Sequence, residues 1–189
     1  MKLHTLLENL ETKLADTEIS GVTDDTRALK KDMVFVCIKG AKYDGHDAAA
    51  AMLEQGAVLV VTERPLGLGD REITVPNTRR TYGDLCAAWY GHPERKLQIV
   101  GVTGTNGKTT TATLIKEMLR KTGRRVGLIG TVQYEIGDEI LPSPNTTPLT
   151  DAYFALLAKM VKANIEAVVM EVSSFGLEQY HIGPTRFAA

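Results

Sequence analysis

Two cysteines and four histidines are all that 189 residues hold of the sulfur and imidazole side chains most used for disulfides and metal clusters. Cys37 falls in a strand-like run and Cys86 in a helix-like one. That placement suits two buried thiols rather than a disulfide, and it fits a cytoplasmic address. His4, His46 and His92 show no metal-ligand spacing and read as surface or packing residues. An excess of one charge is missing too: 22 Lys+Arg stand against 23 Asp+Glu, a net of −1, with no long basic run. The chain therefore carries no electrostatic footprint for nucleic acid or an anionic membrane. No apolar stretch nears the roughly 18 residues that span a bilayer. The start, Met1-Lys2-Leu3-His4, leads into a segment with acidic residues rather than the apolar core of a signal peptide.

What remains is an ordinary globular composition, 43% hydrophobic and 24% charged, long enough for one large or two small cores. Leu3, Leu6, Leu7, Leu10 and Leu14 recur at helical spacing and predict an amphipathic first helix. Short β-rich runs come next, over residues 19–22 and 33–38, separated by the polar Thr23-Asp24-Asp25-Thr26-Arg27. A loop over 41–47 leads into an alanine-rich helix that Gly56 stops, since glycine takes the left-handed conformation at low cost. Ala57-Val58-Leu59-Val60-Val61 is a continuous apolar strand, buried on both faces. A short strand over 73–75 and a helix over 78–89 complete a small Rossmann-like α/β domain. Tyr90-Gly91-His92-Pro93 breaks the pattern, which places the boundary between a domain over 1–90 and a second over 91–189.

In the second region the run Gly101-Val102-Thr103-Gly104-Thr105-Asn106-Gly107-Lys108-Thr109-Thr110 comes after an apolar strand over 97–102 and opens a helix over 108–122. Backbone N–H groups at a helix N-terminus point outward, and glycines let them curl around phosphate oxygens. Lys108 can neutralise the β/γ-phosphates of ATP or GTP, while the Thr109 hydroxyl takes a coordination site of Mg²⁺. One departure is Val102, which stands where the usual phosphate loop has its first glycine. The helix after the loop presents Leu114, Ile115, Met118 and Leu119 as its apolar set. Beyond it lie a strand over 125–131, a loop rich in Gly, Pro and Ser, a helix over 150–163 and a strand over 167–171. The alternation predicts a mostly parallel sheet with ligands at the C-terminal strand ends. With three convincing strands where about five are usual, this second domain reads as truncated.

Glu171 ends an apolar strand and is followed by Val172-Ser173-Ser174. A carboxylate so placed beside a phosphate loop can hold Mg²⁺, directly or through water; the alternative is a solvated strand end, and the buried run before it favours the metal. Pro144-Asn145-Thr146-Thr147-Pro148 lies between strand and helix, where its polar groups serve equally well as a ligand contact or a helix cap. Asp24 to Arg27 and Lys39 to His46 flank the strand over 33–38; as plain surface loops they need no ligand, yet Arg27 suits a diphosphate.

Taken together these segments resemble the Mur ligase family along essentially the whole chain. Asp25-Thr26-Arg27, Asp32-Met33-Val34-Phe35-Val36, Asp44-Gly45-His46-Asp47 and Gly56-Ala57 are similar to the uridine-nucleotide domain of its last two members. Thr103 to Thr110 is similar to the family's ATP loop, which accounts for Val102. Asn145-Thr146-Thr147-Pro148 and Met170-Glu171-Val172-Ser173-Ser174 resemble the member that adds the third residue of the peptide stem. The resemblance implies that Thr26, Ala41, Lys42 and Tyr43 contact uridine diphosphate, and that Gly104, Thr105, Asn106, Gly107, Lys108, Thr109 and Thr110 hold ATP. It implies Mg²⁺ at Thr109 and Glu171, with Lys108 catalytic, and the muramoyl-peptide at Asn145, Thr146, Thr147, Ser173, Gln179 and His181.

The implied reaction is ATP-dependent amide ligation in peptidoglycan precursor synthesis. The dipeptide carboxylate of UDP-N-acetylmuramoyl-dipeptide would become an acyl phosphate, which the amine of a diamino acid, L-lysine or meso-diaminopimelate, then captures. Two departures stand out: Phe175 where the family usually has histidine, and His181 where it usually has arginine. The family's second metal site, an Asp-His motif and a carbamylated lysine, and its amino-acid-binding domain fall outside these residues. A fragment that binds UDP-sugar or nucleotide without turnover is therefore one rival reading. A stand-alone P-loop NTPase is the weaker one, because it leaves the first domain unexplained.

Overall fold

The computed structural model describes residues 1–7 and 12–189, which fall into two compact units, Met1–Trp89 and Tyr90–Ala189. In the first unit, strands β1 (Gly21–Thr23), β2 (Met33–Val36), β3 (Leu59–Thr62) and β4 (Glu72–Thr74) form one parallel sheet in that spatial order. Helix α2 (Ala49–Glu54) connects β2 to β3 and packs on β3, α3 (Thr78–Trp89) packs on β1, and α1 (Leu3–Leu6) packs on α3. Val34, Phe35 and Val36 of β2 and every residue of β3 are buried, as unbroken apolar runs in the middle of a parallel sheet must be. Phe35, Cys37 and Val60 pack with Ala49 and Met52 of α2 to make the core. Gly56 turns the chain out of α2 with φ at +109°.

The N-terminus departs from its leucine pattern. Helix α1 is one turn long, and Leu14 lies in a turn rather than on a helix; Leu10 falls outside the described residues. The chain folds back instead: Leu3 and His4 donate backbone N–H groups to the carbonyls of Thr17 and Ala15, both at 2.9 Å. Once residues 13–17 supply these partners, leucines spaced for a helix can bury without one.

In the second unit the elements are, in chain order, β5 (Gln98–Val102), α4 (Lys108–Lys121), β6 (Val126–Ile129), β7 (Gln133–Ile136), β8 (Glu139–Pro142), α5 (Thr150–Lys162), β9 (Ala167–Glu171) and α6 (Ser174–Glu178). The sheet order is β5-β9-β6-β7-β8, so the expected three strands become five. β9 is parallel to both its neighbours, whereas β6–β7 and β7–β8 pair antiparallel, which makes the sheet mixed. The two added strands are a hairpin over the stretch expected to be loop. Its two-residue turn is Gly137-Asp138, with Gly137 at φ +61°, the conformation a tight hairpin requires. Strand number therefore does not mark this sheet as curtailed.

Ala112 of α4 packs on Val126, Leu128, Ala167 and Val169 from one face of the sheet. On the other face a Cβ at Gly127 would sit 3.0 Å from Met160 Cε of α5, whose Tyr153, Phe154 and Leu157 are fully buried. The apolar set expected on α4 is shifted. Leu114 and Met118 are 60% and 68% exposed, and the inward stripe is Ala112, Ile115, Lys116 and Leu119. A lysine takes the core position because Glu135 of β7 meets it there at 3.0 Å through both carboxylate oxygens. No helix among the described residues is long and apolar enough to cross a membrane.

Candidate nucleotide site

Three adjacent parallel strands of the second unit end at one place. The register sets Val102 of β5 beside Glu171 of β9, and Ile129 of β6 beside Met170. The strand ends and the segments leaving them are therefore gathered there: the 103–107 loop after β5, Gly130-Thr131 after β6, and Glu171 itself. The loop turns through Gly104 at φ +146° and Gly107 at φ +78°, where a side chain would strain the backbone. The first α-helical backbone bond of α4 runs from the Thr111 N–H to Gly107 O at 2.9 Å, which leaves the N–H groups of Lys108, Thr109 and Thr110 for something else. Lys108 Nζ arches back to donate to Gly104 O at 2.8 Å and so lies over the loop. Residues 105–110, Thr131 and Glu171 line a cavity of about 310 Å³.

Glu171 is 1% exposed, yet its carboxylate is fully provided for. Oε2 accepts from Thr109 Oγ1 at 3.1 Å and Thr131 Oγ1 at 3.0 Å, and Oε1 accepts from the Thr131 N–H at 3.0 Å. A Cβ on Gly130 would fall 2.7 Å from Oε1, so only glycine admits the carboxylate against this backbone. Thr131 is the residue that sequence reasoning missed. It stood at the C-terminal end of an expected strand, the usual place for ligand-facing groups in such sheets.

The loop over 145–147 meets the same cluster. Thr131 Oγ1 and Thr146 Oγ1 are 3.1 Å apart. Thr147 is buried; its hydroxyl donates to Glu171 O at 3.4 Å and accepts from Ser173 N at 2.9 Å. Neither threonine caps α5, whose N-cap is Leu149; the cap found here is Ser173, which accepts from Gly176 N at 3.0 Å to start α6. Asn145 is exposed, its carbonyl accepting from Tyr134 OH at 2.5 Å. Gln179 stands just past α6, and the buried His181 lies edge-on to the exposed Phe175, ring centroids 5.8 Å apart.

The donor set fits a hard cation. A hydroxyl and a carboxylate oxygen, Thr109 Oγ1 and Glu171 Oε2, face one cavity beside a helix N-terminus, and oxygen donors of this kind are what Mg²⁺ takes. The unpaired N–H groups and Lys108 supply the complementary surface for phosphate oxygens.

In the first unit, Thr26 and the exposed Ala41, Lys42 and Tyr43 come after the C-terminal ends of the neighbouring strands β1 and β2, and so share one edge of that sheet. The 41–43 loop is pinned at its base by Gly40 N–H to Tyr43 O at 2.8 Å and Gly45 N–H to Ile38 O at 3.0 Å. Asp44 Oδ1 accepts from the backbone N–H of His46 at 3.0 Å and lies 2.6 Å from its Nδ1. Because Nε2 of His46 accepts the Glu63 N–H at 2.9 Å, the ring proton belongs on Nδ1 and goes to Asp44. The backbone N–H of His46, with its ring and Arg64 adding to it, overrides burial and holds Asp44 at about 2. Arg27 is not free to fork a diphosphate as it stands: its Nε and NH2 donate to Asp25 at 2.9 and 2.8 Å.

Fold and site together define an α/β protein of the phosphate-loop type. Residues 18–90 match the Mur ligase family catalytic domain, and residues 102–189 match the Mur ligase middle domain. The chain belongs to the Mur ligase family. It is 43% identical over 183 residues to the UDP-N-acetylmuramoyl-L-alanyl-D-glutamate–2,6-diaminopimelate ligase of Geobacillus thermodenitrificans, a match covering 95% of this chain and 37% of that protein. A solved ligase of the same name superposes with a TM-score of 0.75 at 24% identity, over 96% of this chain and 38% of the other. The MurF ligase of Thermotoga maritima, solved in complex with ADP, gives 0.50 at 25% identity over 81% of this chain and 32% of the other. The chain thus spans little more than a third of the length of the curated relatives it matches.

Proposed function

We propose that this chain supplies the nucleotide-binding part of an ATP-dependent ligase of peptidoglycan precursor synthesis. The ligase joins an amino acid to the dipeptide carboxylate of UDP-N-acetylmuramoyl-L-alanyl-D-glutamate. The names of the relatives favour 2,6-diaminopimelate over L-lysine as the residue added. The observation that carries the reading is the convergence of Thr109 and Glu171, at 3.1 Å, on the cavity under the glycine loop. The N–H groups of residues 108–110 bind the phosphates, and Lys108 swings from Gly104 O to neutralise charge on the phosphoryl group as it moves to the carboxylate. Thr109 and Glu171 would hold Mg²⁺, which when bound draws charge off the β- and γ-phosphates. The loop over 145–147 and Ser173 lie beside Glu171, which suits them to present the muramoyl-peptide to that phosphate. Thr26, Ala41, Lys42 and Tyr43 take the uridine diphosphate on the first unit. A free-standing P-loop NTPase is the poorer account, since residues 18–90 match a family domain of their own.

Calorimetric titration of the chain with Mg·ATP and, separately, with UDP-N-acetylmuramoyl-dipeptide tests this. Both bind the unaltered chain, and Lys108→Ala removes the first heat while leaving the second. Equal Mg·ATP affinity in the variant would take Lys108 out of the site.

A further inference from the structure

Thr131 belongs to none of the motifs that pointed to this site, yet it makes the largest number of bonds to its carboxylate. Its N–H goes to Glu171 Oε1 and its hydroxyl to Glu171 Oε2, both at 3.0 Å, while the same hydroxyl oxygen lies 3.1 Å from Thr146 Oγ1. A hydroxyl has one proton and two lone pairs. The carboxylate accepts only, so the Thr131 proton goes to Glu171, and the proton between the two threonines must come from Thr146. The chain of donors has one direction: Thr146 to Thr131 to Glu171. Gly130, whose Cβ would stand 2.7 Å from Oε1, leaves the room that the carboxylate occupies.

We propose that Thr131 is a positioning residue that fixes the Glu171 carboxylate for the cation and couples it to the loop over residues 145–147. The inference rests on the reading of Glu171 as a Mg²⁺ ligand. A cation needs the carboxylate held in one place, and the two hydroxyls that hold it also fix the loop, so ordering the one orders the other. By linkage, whatever engages Thr146 changes cation affinity by the same factor. The two substrate regions of the second unit are joined by two hydroxyls.

The test is a titration of the chain with a fluorescent ATP analogue at rising Mg²⁺, with circular dichroism to check folding. Thr131→Val keeps the shape and the backbone N–H but removes the relay. It should raise the Mg²⁺ needed for half-maximal binding about tenfold, the low end of what loss of a ligand's hydrogen-bond partner does. Thr131→Ser, which keeps the hydroxyl, should stay within about twofold of the unaltered chain. Affinity for the analogue in EDTA should be unchanged in both. Thr146→Val should shift the Mg²⁺ dependence in the same direction by less, and add nothing on top of Thr131→Val, because it acts only through Thr131. Should Thr131→Val fail to fold, Thr131→Ser and Thr146→Val decide the matter. An unmoved Mg²⁺ curve in Thr131→Val or Thr146→Val, a serine variant as impaired as the valine one, or additive effects would overturn the proposal. Binding by the unaltered chain that ignores Mg²⁺ would instead remove the cation reading beneath it, and that arm needs no variant.

Discussion

Lys116→Met should unseat the second unit without touching the first. Lys116 and Glu135 are each 7% exposed in their side chains, and the ammonium sits 3.0 Å from both carboxylate oxygens. Taking one partner from a buried pair costs about 3–5 kcal/mol, most of it the charge left behind. Here Glu135 keeps Gln133 Nε2 at 2.9 Å and Arg120 NH2 at 3.2 Å, so the low end, about 3 kcal/mol, applies. With a urea slope of about 1.5 kcal/mol/M for a unit of this size, the midpoint falls by about 2 M. The chain's one tryptophan, Trp89, ends α3 in the first unit. Far-UV circular dichroism should therefore show an early transition in the variant while tryptophan fluorescence holds its position. Burial pushes the Glu135 carboxyl up, but Gln133, Lys116 and Arg120 outweigh it and leave the group below its usual range. A lowered folded value means stability present above the ordinary carboxylate range and lost as pH falls, and the variant should begin that loss at higher pH. Lys116→Met combined with Glu135→Leu should recover most of the midpoint, since an apolar pair of like volume is near neutral. A single variant within about 0.5 kcal/mol of the parent, or a double variant as weak as the single, would refute the account.

Other contacts lead to three more outcomes. Gly176→Ala would put a Cβ 2.7 Å from Thr147 Cγ2 and should cost about 1–3 kcal/mol by urea unfolding; a more stable variant, the usual result for glycine in a helix, would contradict the close approach. Burial, helped by the charges of Asp44 and Glu72, pushes the Cys37 thiol up to about 12, so it should resist a thiol reagent at pH 8 and react once urea unfolds the chain. Asp44→Asn should lower the urea midpoint of the first unit at pH 7, and the gap should close as acid reaches the value of about 2 at which Asp44 is held; a constant gap would mean the carboxylate's charge is not what counts.

The strands and helices that bury one clean face were legible in the residues alone. The helix over 78–89 and the strand over 167–171 stand where their patterns put them, because their buried polar residues, Thr78 and Glu171, fall at an end of the element rather than inside it. The hairpin was hidden by Glu135, a charge at an inward position that breaks the apolar alternation and makes sense only once Lys116 is seen across from it. The same pair shifted the apolar stripe of α4 away from Leu114 and Met118. At the site, the glycine loop and Glu171 carry their chemistry in their spelling. Thr131 does not: a single threonine after a strand takes its meaning from the register of β6 against β9, which no local pattern records.

That register also has a kinetic side. β5 and β6 are successive strands with only α4 between them, yet they do not pair; β9, drawn from far along the chain, lies between them. Closing so long a loop is entropically slow. The glycine loop, which belongs to a local strand–helix unit, should therefore form before β9 brings its carboxylate. During refolding, secondary structure should return before the proposed Mg²⁺-dependent nucleotide binding. A nucleotide that selects the finished arrangement then acts as a latch on β9, drawing the equilibrium toward the one topology in which loop and carboxylate meet.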